Sequence, residues 1–247
     1  VRTEKEEQNK MDLQRMMSLV RQALDRYEMI EEGDHVALGL SGGKDSLALL
    51  CALSGISRFY PKKFRLCAIY IDLGYGNVQD DGMRRLCEKW NVPFYRVDTQ
   101  IGDIVMRQRK ESNPCSLCAK MRKGALGQKA LELGCNKIAY AHHKDDFTET
   151  MMMNLIFQSR FYAFPPVTKM EDSGLTVIRP LMLVNEAQVK GFQNKQKLPV
   201  LKNPCPADGK TKREEIKILI KEINRKYPGA SERMFSAIVN GKIEDWI

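Results

Sequence analysis

The sequence predicts an α/β fold: an open, mostly parallel sheet flanked by helices, with helical additions at the N- and C-terminal ends. Three observations carry this expectation. Between His35 and Pro180, short apolar runs alternate with stretches of helical periodicity. A polar, Gly-rich turn, Ser41–Ser46, directly follows the first of those runs. Hydrophobic residues make up 43% of the 247 residues, enough for a substantial core. The longest clean apolar run is Leu47–Leu53, far short of the ~18 residues a membrane span needs.

Each element follows from its own pattern. Leu13, Met16, Met17, Val20, Leu24 and Tyr27 recur at helical spacing and make one apolar stripe, a helix that packs on the next domain. His35–Leu40 is a buried strand, and Leu47–Leu53 a buried helix after the turn. The next cycle predicts a strand over Phe64–Asp72, a helix around Asp80–Trp90 and a third strand over Pro93–Val97. A helix over Ala119–Leu133 leads to a strand at Lys137–Ala141, then a helix over Asp146–Gln158 and a short strand at Val177–Pro180. Phe164–Thr176, with two prolines and a glycine, reads as a mobile loop. Ile216, Leu219, Ile220 and Ile223 predict a final helix over Thr211–Tyr227 that Pro228-Gly229 stops. At ~150 residues per domain the length suits one large domain with additions. The expected division is residues 1–30, an N-terminal helix; 31–200, the α/β domain; and 201–247, a cysteine loop and helical tail.

Charge and cysteines narrow the class. Lys and Arg number 40 against 31 Asp and Glu, a net charge of +9 that points weakly to a polyanionic partner. The composition excludes a wholly disordered chain. The N-terminal stretch VRTEKEEQNK is charged, without the apolar centre of a secretory signal, so the expected setting is the cytoplasm. Seven cysteines are an odd number, and a disulfide framework is not expected. Cys51, Cys67, Cys87 and Cys135 read as small buried hydrophobes in a reducing compartment.

Chemistry concentrates at three places. In Leu40-Ser41-Gly42-Gly43-Lys44-Asp45-Ser46 the glycines let backbone N–H groups approach a ligand, the helix start adds partial positive charge, and Lys44 adds a full one. This is a phosphate cradle, though not the G-x-x-x-x-G-K-[ST] loop. Ala141-His142-His143-Lys144-Asp145-Asp146-Phe147-Thr148-Glu149-Thr150 ends a strand and opens a helix, and carboxylates placed so suit Mg²⁺ bridging phosphates. Cys115 and Cys118 form a C-x-x-C on a polar loop just before a helix, where its N-terminus and nearby cations favour thiolates. Cys205 lies far downstream. Three thiolates fit an iron–sulfur cluster with one open iron, a redox pair, or a zinc site completed by histidine; spacing alone leaves all three open.

S-G-G-K-D-S resembles the signature of the PP-loop ATP pyrophosphatases, whose fold is adenine nucleotide alpha hydrolase-like. They split ATP between its α and β phosphates and use the AMP half to activate a carbonyl oxygen. The His142–Thr150 string resembles the H-H-x-D-D-x-x-E-T block of PP-loop enzymes that modify tRNA. Cys-Ser-Leu-Cys-x-x-x-Arg-x-Gly, Ile178-Arg179-Pro180-Leu181, Arg225-Lys226-Tyr227-Pro228-Gly229 and Met234-Phe235-Ser236-Ala237 are similar, in order and over nearly the whole chain, to the tRNA 2-thiocytidine synthetase (TtcA-like) family. One departure is Asp208, where the family has a second distal cysteine.

The resemblance implies ATP, Mg²⁺ and a 4Fe-4S cluster. Cys115, Cys118 and Cys205 would hold the cluster. Leu40, Ser41, Gly42, Gly43, Lys44, Asp45 and Ser46, with Asp72, His142, Asp145 and Asp146, would bind the nucleotide, and Asp45 and Asp145 the Mg²⁺. Lys44 and Asp45 would position the nucleotide while the C2 carbonyl of a pyrimidine, foremost a cytidine in the anticodon loop of tRNA, is adenylated; sulfur carried on the open iron then expels AMP. Arg122 and Lys123 are candidates for tRNA phosphate or a solvated helix face. Basic residues recur in Lys62-Lys63, Arg107-x-Arg109-Lys110, Lys195-x-Lys197 and Lys210-x-Lys212-Arg213. Expected partners are tRNA and a sulfur donor, a cysteine desulfurase or free sulfide; no membrane is expected, and a homodimer is an open option. The alternatives are a lysidine synthetase-like nucleophile or thiolation of a uridine or a small molecule.

Overall fold

A computed structural model describes residues 11–76, 78–108, 114–202, 205 and 211–241. The helices are α1 (Leu13–Arg26), α2 (Lys44–Ser57), α3 (Asp81–Lys89), α4 (Pro114–Glu132), α5 (Lys144–Gln158), α6 (Glu186–Gln196), α7 (Lys212–Lys226) and α8 (Ala230–Asn240); a turn at Ile101–Asp103 runs into a π-helical stretch, Ile104–Gln108. The strands are β1 (His35–Leu40), β2 (Arg65–Asp72), β3 (Phe94–Asp98), β4 (Lys137–Ala139), β5 (Val167–Lys169) and β6 (Thr176–Ile178). They form one sheet in the order β3-β2-β1-β4-β6-β5, parallel except for β5 against β6.

Helices cover both faces. Val36, Leu38, Leu40, Ala68 and Tyr70 pack with residues of α1, α2, α3, α5, α6 and α8. Ala37, Cys67, Ile69 and Ile71 pack with Leu126 and Ala130 of α4 and with Ile101 and Val105. Burial on both faces is why β1 and β2 read as near-continuous apolar runs instead of alternating. The helix α2 is buried from Ser46 to Ile56, which matches a sequence apolar all round. At α1 the Asp12 carboxylate accepts from the Arg15 backbone N–H at 2.9 Å and caps the helix. Cys51, Cys67, Cys87 and Cys135 are buried, as expected for core cysteines. Among the described residues, no helix is long and apolar enough to cross a membrane.

Two expectations require correction. Phe164–Thr176 is not a plain loop: Val167–Lys169 forms β5 and pairs antiparallel with β6, Val167 opposite Ile178 and Lys169 opposite Thr176. A strand of three residues carries too little alternation to stand out beside two prolines. Cys115 and Cys118 do not precede their helix on a loop. The helix α4 begins at Pro114, a residue suited to a first helical position, so both cysteines lie in its opening turns.

Candidate active site

The chain runs β1, β2, β3 in one direction across the sheet and then returns to place β4 on the other side of β1. The carboxyl ends of β1 and β4 therefore flank a topological switch point, where open α/β sheets bind ligands. The turn after β1 is Ser41–Ser46, and the turn after β4 is Ala141-His142-His143. Two motifs about a hundred positions apart meet there for topological reasons.

Hydrogen bonds hold the first turn. Ser46 Oγ donates to Gly43 O at 3.0 Å and accepts from Ser41 N at 3.1 Å. Ser41 Oγ lies 3.1 Å from Ser46 Oγ and accepts from Gly43 N at 3.3 Å. Gly42 has φ 78°, a left-handed conformation that suits glycine, and Leu201 crowds the space where a Cβ would sit, at 2.8 Å. The Leu201 backbone N–H donates to Gly42 O at 2.9 Å, so the segment leading to Cys205 is tied to this turn.

Lys44 and Asp45 open α2. Lys44 Nζ lies 3.0 Å from Asp45 Oδ2 and 3.3 Å from Glu186 Oε1. Glu186, at the start of α6, also meets Lys217 at 2.9 Å and Lys190 at 3.2 Å. Burial disfavours the Glu186 charge, but the lysines outweigh it and bring the carboxyl down to about 2. Burial likewise disfavours the Lys44 charge; Asp45 and Glu186 overcome it and raise the ammonium pKa.

The second turn brings His142, His143, Asp145 and Asp146 against the first. His143 Nε2 lies 3.7 Å from Asp45 Oδ1, and its Nδ1 is 3.4 Å from Asp146 Oδ2 and 3.5 Å from Asp145 Oδ2. Asp146 Oδ2 accepts from His143 N at 2.8 Å. Asp145 Oδ2 accepts from Glu186 N at 2.7 Å, turning that carboxylate toward α6. The His142 ring lies between Tyr140 and Phe164, centroids 5.7 and 4.5 Å away, and burial pushes its pKa down to about 4. Asp45 Oδ1, His142 Nδ1 and His143 Nδ1 are buried without a hydrogen-bond partner. Three such atoms around one turn pair fit a site built for a polar ligand and its cation.

Arg213 of α7 closes this corner. Its Nη1 lies 3.1 Å from Glu149 Oε2 and 3.7 Å from Asp146 Oδ1, and its Nη2 donates to Thr150 Oγ1 at 3.2 Å. Burial, joined by the Asp146 charge, outweighs the Arg213 pair and raises Glu149 to about 7. Asp208 lies outside the described residues, as do Arg109, Lys110 and Lys210.

The cysteine set assembles next to the turns. Cys115 is exposed, and Cys118 and Cys205 are half-buried. Burial raises the Cys118 thiol, Arg122 opposes this, and Cys205 and Cys115 lie near enough to add to the rise. Burial, joined by Cys205, to which Tyr75 hydrogen-bonds, and by Cys118 and Cys115, pushes the Tyr75 hydroxyl up to about 12. The three thiols therefore share one neighbourhood with Tyr75. Soft thiolates from three residues are a donor set for an iron–sulfur cluster with one open iron.

A cleft of about 350 Å³ lies between the two turns and α4, and Lys44, Cys115, Cys118, Asp145 and Cys205 are not among its lining residues. Leu40, Ser41, Asp45 and Ser46 line one side, Ala119, Arg122, Lys123 and Leu126 of α4 the other, with His142 and Asp146 between them. Its size suits a small-molecule site. Asp72 is not among its lining residues: its side chain accepts from Gly74 N at 2.9 Å and pairs with Arg96. Sequence reasoning missed Glu186 and Tyr75, which no local motif marks. It saw Arg213 only as part of a basic run.

Comparison with known proteins follows the same lines. A family model described as the PP-loop domain matches residues 12–223. The tRNA-cytidine(32) 2-sulfurtransferase of Pelobacter propionicus is 36% identical over 229 residues, 92% of this chain and 85% of that protein. Its counterpart in Dechloromonas aromatica is 35% identical over 220 residues, 88% and 77% of the two chains. Among solved structures, a U34-tRNA thiolase from Methanococcus maripaludis with its [4Fe-4S] cluster is similar at a TM-score of 0.71 and 24% identity, over 91% of this chain and 76% of that one. An NH3-dependent NAD synthetase from Campylobacter jejuni reaches a TM-score of 0.51 at 16% identity, over 96% and 99%. At those identities the two structures establish a likeness of fold.

Proposed function

Because the chain belongs to the tRNA-cytidine(32) 2-sulfurtransferase family of PP-loop proteins, we propose that it uses ATP to replace the C2 oxygen of a tRNA cytidine in the anticodon loop by sulfur. The observation that carries this reading is the shared cleft: the phosphate turn forms one wall, and the helix bearing Cys115 and Cys118 forms the other. Activation and sulfur delivery act on one carbon, so the cysteines at the start of that helix, just before the lining residue Ala119, must deliver sulfur into this space.

The residues divide the work. Backbone N–H groups of Ser41–Ser46 and the α2 N-terminus face the pyrophosphate end of ATP, with Lys44 held in place by Glu186. Mg²⁺, when bound, neutralises charge on the phosphates; Asp45 Oδ1, unpartnered in the cleft, and Asp146 would hold it, with Asp145 behind them. Adenylation breaks the bond between the α and β phosphates and turns the carbonyl oxygen into a phosphate ester. That oxygen leaves with AMP when sulfur bonds the carbon. His142 is neutral at physiological pH and offers a neutral imidazole edge to the base or the phosphate. Cys115, Cys118 and Cys205 would hold a 4Fe-4S cluster, which supplies an open iron for a sulfur ligand. Arg122 and Lys123, at the cleft wall, would meet tRNA phosphates.

In this reading residues 31–200 carry the ATP site, 1–30 support it, and 201–247 supply the distal cysteine and the tail. The sulfur comes from a cysteine desulfurase or free sulfide in the cytoplasm. A homodimer belongs to the same reading, and sedimentation at working concentration tests it. The direct test of the reaction incubates anaerobically reconstituted protein with ATP, Mg²⁺, sulfide and tRNA. AMP and pyrophosphate should form; ADP as product would contradict the reading. Cys205→Ala should lose the brown chromophore and the activity, and retaining both would remove Cys205 from the site.

A further inference from the structure

A second set of metal-ligating side chains lies at the opposite end of β1. His35 opens that strand, Cys67 sits on β2 opposite Ala37, and Cys135 lies two residues before β4. Since β2 and β4 flank β1, the two cysteines reach toward each other on the face where Ala37 presents only a methyl group. The ligand atoms of His35, Cys67 and Cys135 all lie within 4.8 Å of one another, and the two sulfurs are 3.5 Å apart. At a strand rise of about 3.3 Å per residue, β1 separates this group from Ser41 by roughly 20 Å.

We propose that His35, Cys67 and Cys135 form a second metal site, separate from the Cys115, Cys118 and Cys205 set, that takes one Zn²⁺. With Zn–S bonds of about 2.3 Å, sulfurs 3.5 Å apart subtend about 99° at the metal, near a tetrahedral angle. A disulfide needs an S–S separation of about 2.05 Å, so these sulfurs would have to move together by about 1.4 Å, whereas a metal bridges them nearly where they stand. Binding releases the two thiol protons to solvent, and two thiolates balance the ion's charge. The buried site is then neutral, which limits its desolvation cost. The cysteines are 1% and 4% exposed while His35 is half-buried, so the imidazole marks the side from which an ion enters and a water completes the shell.

The test uses the full chain carrying Cys115→Ala, Cys118→Ala and Cys205→Ala, which removes the competing thiolates. After metal stripping under reducing conditions and return of Zn²⁺, desalted protein should hold one zinc per chain. Co²⁺ in its place should give a thiolate charge-transfer band. Adding Cys67→Ala and Cys135→Ala should abolish the band, with far-UV circular dichroism reporting the fold. If that variant does not fold, His35→Ala at the rim serves instead and should weaken Zn²⁺ binding by at least about tenfold. Absence of zinc in the parent triple variant, or unchanged affinity after loss of His35 or of both cysteines, overturns the proposal. So does recovery of Cys67 and Cys135 as a disulfide that excludes zinc.

Discussion

Replacing Gly42 by alanine probes the junction between the ATP turn and the cysteine segment. The left-handed φ of 78° costs an L residue about 1–2 kcal/mol. The new Cβ would also stand 2.8 Å from Leu201 Cδ1 and 3.0 Å from its Cγ. Leu201 cannot simply retreat, because its N–H bonds Gly42 O at 2.9 Å. A combined loss of roughly 2–3 kcal/mol, at about 2–4 °C per kcal/mol for a chain of this size, lowers Tm by roughly 4–12 °C. Urea unfolding and calorimetry of nucleotide-free protein read this directly. Gly43→Ala is the control: its φ is −77°, and a Cβ there meets only Ser41 Oγ at 3.3 Å, so it should stay within about 1 kcal/mol of the parent. In a double-mutant cycle, Gly42→Ala should do less harm on a Leu201→Ala background, since the Cδ1 and Cγ contacts are gone while the 3.1 Å approach to the Cβ of residue 201 and the backbone part remain. A Gly42→Ala protein as stable as the parent would refute the reasoning, and additivity in the cycle would refute the Leu201 contact.

Three further outcomes follow from the same geometry. His142 titrates near 4 when folded and near 6.5 when unfolded, so the unfolded chain binds the extra proton and stability falls as pH drops from 6.5 to 4. Glu149 is raised from 4.5 to about 7, so it acts oppositely: its contribution is present below 4.5 and is lost as pH rises through 7. The two slopes offset each other between pH 4.5 and 6.5; His142→Gln should make stability fall with rising pH there and Glu149→Gln should make it rise, and urea titrations showing neither change would contradict the assignment. Glu186→Gln removes the carboxylate shared by Lys44, Lys190 and Lys217; since Lys44 keeps Asp45, the KM for ATP should rise about tenfold, and unchanged ATP kinetics would remove Glu186 from the positioning of Lys44. Arg122→Ala with Lys123→Ala should weaken tRNA binding uniformly across sequences and reduce its salt slope by about 0.7–0.9 for each phosphate no longer neutralised, whereas an unchanged slope would make them a solvated face.

Local chemistry was the legible part of this site. The Ser41–Ser46 turn declares itself because glycines, a lysine and hydroxyls must be contiguous to line one turn, and the His142–Thr150 string because strand end and helix start supply its geometry. Cys115, Cys118 and Cys205 could be grouped only through the resemblance, since nothing in their spacing says that the distal cysteine lies near the proximal pair. Glu186 and Tyr75 stayed hidden because their roles arise from long-range contacts: Glu186 meets Lys44 across more than a hundred positions, and Tyr75 faces Cys205 across a similar span. In the fold, β5 escaped notice because three residues show no period, and the start of α4 because Pro114 reads equally as a loop residue. The helices α6 and α8 passed unmarked among mixed polar residues; α8 is fixed by Phe235, whose ring packs 6.0 Å from Phe147 of α5.

In the proposed reaction one cleft adenylates a cytidine and receives the sulfur that replaces its C2 oxygen. Mass spectrometry of nucleosides from tRNA, taken from cells with and without the gene and from the reconstituted reaction, tests it most directly. A cytidine with sulfur in place of its C2 oxygen should be present only with the protein and depend on Cys115, Cys118 and Cys205. A thiolated uridine, a lysine-modified cytidine or an unmodified cytidine pool would contradict it.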